Sequence, residues 1–256
     1  MKRFALAGLL LCSAFTHADK IDDLILKTMK AQQVPGLTLG IVRNGRLVSK
    51  RAYGFSDLEL NVKTAPDDLF EVGSITKQFT SFATFMLMER GKIAIDDPIS
   101  KYLPEAPQSW SGITVRNLLY QTSGLQDYAL VPGLGLIEQF DRAKFFTTMA
   151  TRPLDFAPGA AWAYSNTNYA LLGWIIEKAS GEPYTKFMTE NVLQPLGMTH
   201  TIFEDPDQIT PHRAHGYYKG DKLIRAIPSA ASINSDGTLM SNIDDLTKWD
   251  DALRQR

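Results

Sequence analysis

Apolar positions along the chain recur first at helical and then at strand spacing. Ile21, Leu24, Ile25 and Met29 share one side of a helix expected over residues 21–31, which Val34-Pro35-Gly36 ends. The next run, LTLGIVRNGRLVSKRAYGF, reads as two strands around Asn44-Gly45, a pair that tolerates the positive φ of a tight hairpin. From Ser74 to about Gly197 the pattern is mainly helical, punctuated by Pro98, Pro104, Pro107, Pro132, Pro153, Pro158 and Pro195. Within it, TNYALLGWIIEKASG (residues 167–181) predicts the clearest helix, closed by a glycine. HGYYKGDKLIRAI predicts a second hairpin after a connecting loop near Pro206. A last helix is expected in IDDLTKWDDALRQR, with Ile243, Leu246, Trp249 and Leu253 on its apolar side.

A two-stranded hairpin is barely stable alone in water, and further strands or helices must cover one of its faces. The only other candidate strands lie after residue 215 and are short. The pattern therefore predicts either an unusually small sheet or strands missing at the C-terminal end.

Composition narrows the functional classes. With 256 residues, 44% hydrophobic and 21% charged, the chain reads as an ordinary globular protein with a sizeable core, in one large domain or two small lobes. Lys plus Arg number 27 against 28 Asp plus Glu, which gives no electrostatic reason to expect nucleic acid or an anionic membrane as partner. Residues 1–18 have the layout of a secretory signal peptide: Lys2 and Arg3, an apolar run from Phe4 to Leu11, and Thr16-His17-Ala18 before Asp19. That run is too short to span a bilayer. The one cysteine, Cys12, follows Leu11, a poor fit to lipid attachment, and cleavage after Ala18 would leave no cysteine. A periplasmic or secreted bacterial location, without disulfides or a thiol nucleophile, is expected.

The candidate chemistry starts in EVGSITKQFTSFATFMLMERGK. Ser74 and Lys77 are three residues apart at the head of a helix, so the amine can reach the hydroxyl. Ile75, Phe79, Phe82 and Met86 form the stripe expected to bury that helix. A lysine withdrawn from water near a positive helix end is pushed toward the neutral amine, which accepts a serine proton where an ammonium cannot. The bland alternative is a plain helix cap with Thr76 and Lys77 solvated, and roughly one Ser-x-x-Lys is expected by chance in a chain this long. A second element, WAYSNTNYALLGW, sets Tyr164 and Asn166 just before the long helix. A phenol can shuttle a proton, and a carboxamide can accept from lysine and donate to a substrate amide; capping by Ser165 or Asn166 is compatible with both.

Taken together, GSITKQFT, IAIDDPISKYLP, ITVRNLLYQTSGL, FAPGAAWAYSNTNYALLGWIIEKASGEPY, LQPLGMTHT and DGTLMSNIDDLTKW resemble, in order, successive blocks of the serine β-lactamase and penicillin-binding-protein superfamily. The nearest branch is the class C β-lactamase-like serine hydrolases. The resemblance runs from about Val34 to the last residue. It implies an α+β fold: an antiparallel sheet flanked by helices (about 19–73 and 205–256) beside an all-helical lobe (about 74–204), with Ser74 at the junction. It implies Ser74 as acylated nucleophile, Lys77 as its proton acceptor, and Tyr164 as second member of the base system and acid for the leaving group. Asn166 matches the residue orienting lysine and substrate, and the Ser74 N–H would form half of an oxyanion hole. Trp162, two residues before Tyr164, is a candidate lining residue. The substrate would be a β-lactam, a D-amino-acid peptide or an ester, with no metal or organic cofactor.

Three departures stand out. Gln121 occupies a position where many relatives have histidine, and Asp236 one where glycine is usual; neither is expected to abolish the chemistry. No Lys-Thr-Gly or His-x-Gly follows the DGTLMSN block, so the family's third motif, with the other oxyanion donor, is absent from this sequence. That agrees with the strand count and raises an alternative: a truncated or non-catalytic relative that binds cell-wall peptides or a protein partner. Other candidates are weaker. No Gly-x-Ser-x-Gly elbow occurs, His212 and His215 lack a ligand cluster, His200 reads as structural, and Ser235-Asp236-Gly237 and Asp96-Asp97-Pro98 read as turns or caps. Trp110, Trp174 and Trp249 read as core.

Overall fold

A computed structural model describes residues 20–254, so the expected signal peptide lies outside the described residues. Helix α1 (Lys20–Gln32) leads into strands β1 (Gly36–Arg43) and β2 (Arg46–Asp57), followed by the short β3 (Val62–Lys63) and β4 (Phe70–Glu71). The helical middle contains α2 (Thr76–Glu89), α3 (Val115–Leu119), α4 (Arg142–Met149), α5 (Asn166–Ser180) and α6 (Tyr184–Met188), linked by single turns of 3-10 helix and loops. The chain closes with β5 (Ile202–Phe203), β6 (Tyr217–Tyr218), β7 (Ile224–Arg225), β8 (Leu239–Ser241) and α7 (Ile243–Arg254).

All strand pairs within the sheets are antiparallel. One sheet has the order β1-β2-β3, a second β4-β8-β5, and β6-β7 form the second hairpin. The first hairpin turns at Asn44 (φ 50°) and Gly45 (φ 73°), the positive-φ pair expected there. Among the described residues no helix is long and apolar enough to cross a membrane.

The largest cluster of buried side chains surrounds α5, which buries residues around most of its circumference and packs on α2 and α3. Such an all-round apolar helix is stable only in the interior. Gly181 (φ 81°) closes it in the left-handed conformation, its N–H donating to Glu177 O at 2.8 Å. Phe145 meets Trp174 edge to face at 4.8 Å between centroids, and Trp249 of α7 stacks on Phe79 of α2 at 4.0 Å. Aromatic contacts of this kind add about 0.5–1.5 kcal/mol each beyond area burial, so α7 is tied directly to the helix that carries Lys77.

Helix α2 buries Phe79 of the expected stripe fully and Phe82 and Met86 in part, but its most buried face includes polar positions as well. Ile75 is 42% exposed, whereas Thr76, Lys77, Phe79, Thr80, Ala83, Thr84 and Leu87 are buried. Three threonines can face inward because their hydroxyls are satisfied. Thr76 donates to Gly73 O at 2.7 Å, Thr84 to Thr80 O at 2.9 Å and Thr80 to Ser235 O at 2.6 Å. Hydrophobicity alone therefore found Phe79 and the edge of the buried face but missed the threonines and Lys77 that share it.

One close approach brings the late turn at residues 235–237 onto this helical core. A Cβ on Gly173 of α5 would lie 2.2 Å from Ser235 Oγ and 2.6 Å from its Cβ. Helix propensity favours alanine at such a site by about 1 kcal/mol, but overpacking costs about 1–3 kcal/mol. Gly173→Ala is therefore expected to lower stability by up to about 2 kcal/mol in urea denaturation and to loosen the turn that touches Lys77.

Candidate active site

Ser74 sits in a single 3-10 turn (Gly73–Ile75) between β4 and α2. The preceding Gly73 has φ 53°, a left-handed conformation that favours glycine and swings the chain from strand into helix. Central strand β8 holds this junction: Val72 donates to Leu239 O at 2.9 Å and Leu239 to Thr76 Oγ1 at 3.2 Å. The Ser74 side chain makes no capping bond, and both Thr76 and Lys77 are buried, so the solvated-cap alternative does not describe this turn. Among the described residues the Ser74 N–H has no acceptor, which leaves it available at a positive helix end.

One helical turn on, Lys77 Nζ lies 3.1 Å from Ser74 Oγ, 2.7 Å from Asn166 Oδ1 and 2.5 Å from the main-chain oxygen of Asp236. The Tyr164 hydroxyl is 2.6 Å from Ser74 Oγ and 3.3 Å from Asn166 Oδ1. Ser74, Lys77, Tyr164 and Asn166 thus form one hydrogen-bonded cluster, with Ser74 Oγ between the amine and the phenol. Lys77 Nζ donates to two carbonyl oxygens and stands within hydrogen-bond reach of the serine hydroxyl. Trp162 stands on the same extended run as Tyr164, is 66% exposed, and does not line the adjoining cavity.

One further residue, Asp127, holds Asn166 through two bonds. Asp127 Oδ1 accepts from the Asn166 N–H at 3.2 Å, and its Oδ2 accepts from Asn166 Nδ2 at 3.0 Å. The carboxylate caps α5 in place of Ser165, whose side chain makes no capping bond. It also decides which way the amide faces: with Nδ2 on Asp127, Oδ1 must point at Lys77 and Tyr164. Sequence reading gave Asp127 no role; its only signal was a carboxylate in the loop after TSGL.

A cavity of about 210 Å³ opens beside Ser74, lined by Glu71, Asn166, Asp236, Tyr128, Phe140 and their neighbours. Asp236 lies in the expected turn, yet it is part of the site: its main-chain oxygen receives Lys77 and its Oδ2 accepts from the Tyr128 hydroxyl at 2.6 Å. Burial pushes its carboxyl up to about 6, although the Tyr128 bond and the charge of Lys77 pull the other way. Burial and the neighbouring carboxylate push the Tyr128 phenol up as well, so it stays a donor. Glu71, which lines the cavity, pairs with Arg213, and Arg213 pairs also with buried Glu204, each at 2.5 Å. Among the described residues no group of three or more His, Cys, Asp or Glu is placed to hold a metal ion.

The mixed α/β fold with a Ser-Lys-Tyr-Asn cluster at a strand-to-helix junction defines a class, and a family model described as "Beta-lactamase" matches residues 21–256. The chain belongs to the beta-lactamase family. It is 31% identical over 241 residues to "Protein flp" of Staphylococcus aureus (strain N315), covering 90% of this chain and 47% of that one. It is 34% identical over 218 residues to "Putative penicillin-binding protein PbpX" of Bacillus subtilis (strain 168), covering 84% and 54%. The chain therefore spans about half the length of these curated relatives. Among solved structures, it superposes on an octameric penicillin-binding protein homologue from Pyrococcus abyssi with TM-score 0.78 and 29% identity, covering 92% of this chain and 56% of that one. A class C beta-lactamase matches with TM-score 0.79 and 26% identity, covering 91% and 63%.

Proposed function

We propose that the chain is a serine hydrolase that works through an acyl-enzyme at Ser74. The observation that carries this reading is the position of Ser74 Oγ, 3.1 Å from Lys77 Nζ and 2.6 Å from the Tyr164 hydroxyl. Ser74 Oγ attacks the substrate carbonyl carbon while its proton passes to Lys77 acting as the base, with Tyr164 as the alternative relay. The Ser74 N–H stabilises the oxyanion of the tetrahedral intermediate. As that intermediate collapses, the bond to the leaving group breaks and Tyr164 returns the proton to the departing nitrogen or oxygen. Water then attacks the acyl carbon, gives its proton to the same base system, and releases the acid with Ser74 regenerated. Asn166 keeps Lys77 aimed at Ser74, and its remaining amide hydrogen can reach a substrate carbonyl.

The substrate class in this reading is a β-lactam, a D-amino-acid peptide or a simple ester. The small cavity beside Ser74 suits a compact acyl group rather than a polymer segment. The N-terminal pattern of residues 1–18 supports export, so we place the protein in a periplasm or outside the cell.

A fluorophosphonate probe and a fluorescent penicillin test the central step. Wild type is expected to carry the probe on the peptide containing Ser74, read by mass spectrometry, and Ser74→Ala to carry none. Equal labelling of the two proteins would end the hydrolase reading and leave the non-catalytic one. Parallel assays with nitrocefin, D-alanine p-nitroanilide and p-nitrophenyl butyrate sort the three substrate classes.

A further inference from the structure

Tyr164 reaches Ser74 from an unusual support. It lies in neither helix nor strand but in the extended run before α5, and its ring is 46% exposed. A phenol on such a segment has no regular backbone ladder to hold it. Its reach to 2.6 Å from Ser74 Oγ therefore needs another anchor.

That anchor is a single residue. The N–H of Ala163 donates to the main-chain oxygen of Gln121 at 3.1 Å, and the N–H of Ser165 donates to the Gln121 side-chain Oε1 at 3.0 Å. Gln121 thus grips the chain immediately before and immediately after Tyr164. The same Oε1 accepts from Asn168 Nδ2 in the first turn of α5, and Asn168 Oδ1 in turn accepts from Ser123 Oγ at 2.5 Å. Because Ser165 N–H can only donate, the acceptor end of the Gln121 amide must face it.

Gln121 is itself held by its surroundings. It is buried, it follows α3 with its N–H on Leu118 O at 3.2 Å, and its backbone is left-handed at φ 60°. This conformation is uncommon for a residue with a side chain. Its Nε2 is buried without a partner among the described residues, as is Ser165 Oγ. An orphaned buried donor costs about 1–3 kcal/mol, so the favourable contacts of this side chain come from its oxygen alone.

We propose that Gln121 is the positioning residue of Tyr164, setting the approach of its hydroxyl to Ser74 by holding the backbone on both sides of it. This rests on the reading that Tyr164 handles a proton at Ser74. Displacing such a group by about 1 Å costs about 10²-fold in rate.

The test compares Gln121→Met, which keeps the volume and loses the acceptor, with Gln121→Glu, which keeps oxygens for both Ser165 N–H and Asn168 Nδ2. Fluorophosphonate labelling is expected to slow by about 10–100-fold in Gln121→Met and to recover most of that loss in Gln121→Glu. In a Tyr164→Phe background Gln121→Met should add less than about twofold, since contacting partners in one chain of effect are non-additive. The same factor in both backgrounds would mean a general structural role and overturn the proposal. An independent readout is the ¹³Cζ resonance of Tyr164 in tyrosine-labelled protein, which should shift in Gln121→Met and return in Gln121→Glu. If wild type and Ser74→Ala label alike, the hydrolase reading fails and the resonance alone decides the positioning. If labelling depends on Ser74 but Gln121→Met matches wild type in rate and resonance, only the positioning inference falls.

Discussion

Lys77→Met and Lys77→Arg are both expected to slow acylation of Ser74 by about 10³-fold, within the range general-base catalysis supplies. The two substitutions separate chemistry from support. Lys77 donates to Asn166 Oδ1 and to Asp236 O, and methionine leaves both acceptors without that partner. Buried acceptors left unsatisfied cost about 1–3 kcal/mol each, so Lys77→Met is expected to be less stable as well as slow. Arginine keeps donors for both carbonyls but holds its proton under all working conditions, so it cannot accept one from serine. Rates of fluorophosphonate labelling, measured on protein shown to be folded by circular dichroism, give the comparison. A Lys77→Arg variant within tenfold of wild type would show that Lys77 supports the site without serving as its base, and Tyr164 would take that role. In that case a loss of rate in the methionine variant is the effect of the missing donors.

How much of this site was legible depended on the sequence distance between partners. The Ser74–Lys77 contact is one helical turn long, so spacing alone brings the two side chains together. The Asn44-Gly45 hairpin and the Gly181 helix end are likewise local: each needs a backbone conformation that few residue types adopt. Strands β4, β5 and β8 span two or three residues each and are too short to show alternation, yet the turn that meets Lys77 leads directly into β8. The bond from Lys77 to Asp236 joins residues 159 apart, and that from Asn166 to Asp127 residues 39 apart. No periodicity encodes such pairs; the burial of α5 and the close approach at Gly173 bring them about. The inward threonines of α2 failed the hydrophobic pattern for a related reason. Their polarity is cancelled by carbonyls, of their own helix and of Ser235, that a sequence does not display.

Asp236 sets up the second large effect, one of stability and not of rate. Its carboxyl is buried beside Tyr128 and Lys77, and burial raises it from the ordinary 3.8 to about 6. The folded chain therefore holds this proton more tightly than the unfolded chain. Below about pH 4 the group is protonated in both states and costs nothing. As pH rises from 4 through 6, the unfolded chain releases the proton first, so the fold loses stability, and the loss is complete above about pH 7. At about 1.4 kcal/mol per pH unit, the gap is worth about 3 kcal/mol. Asp236→Asn removes the ionisation and keeps an oxygen to accept from the Tyr128 hydroxyl, now at 2.6 Å. Its stability relative to wild type is therefore expected to rise by about 2–3 kcal/mol between pH 4 and pH 8 in urea denaturation, whatever constant offset the new amide introduces. For a chain this size that corresponds to a relative gain in Tm of about 4–12 °C. A difference that stays flat across that range, or that shrinks as pH rises, would mean the carboxylate is compensated in the fold and carries no ionisation cost beside Lys77.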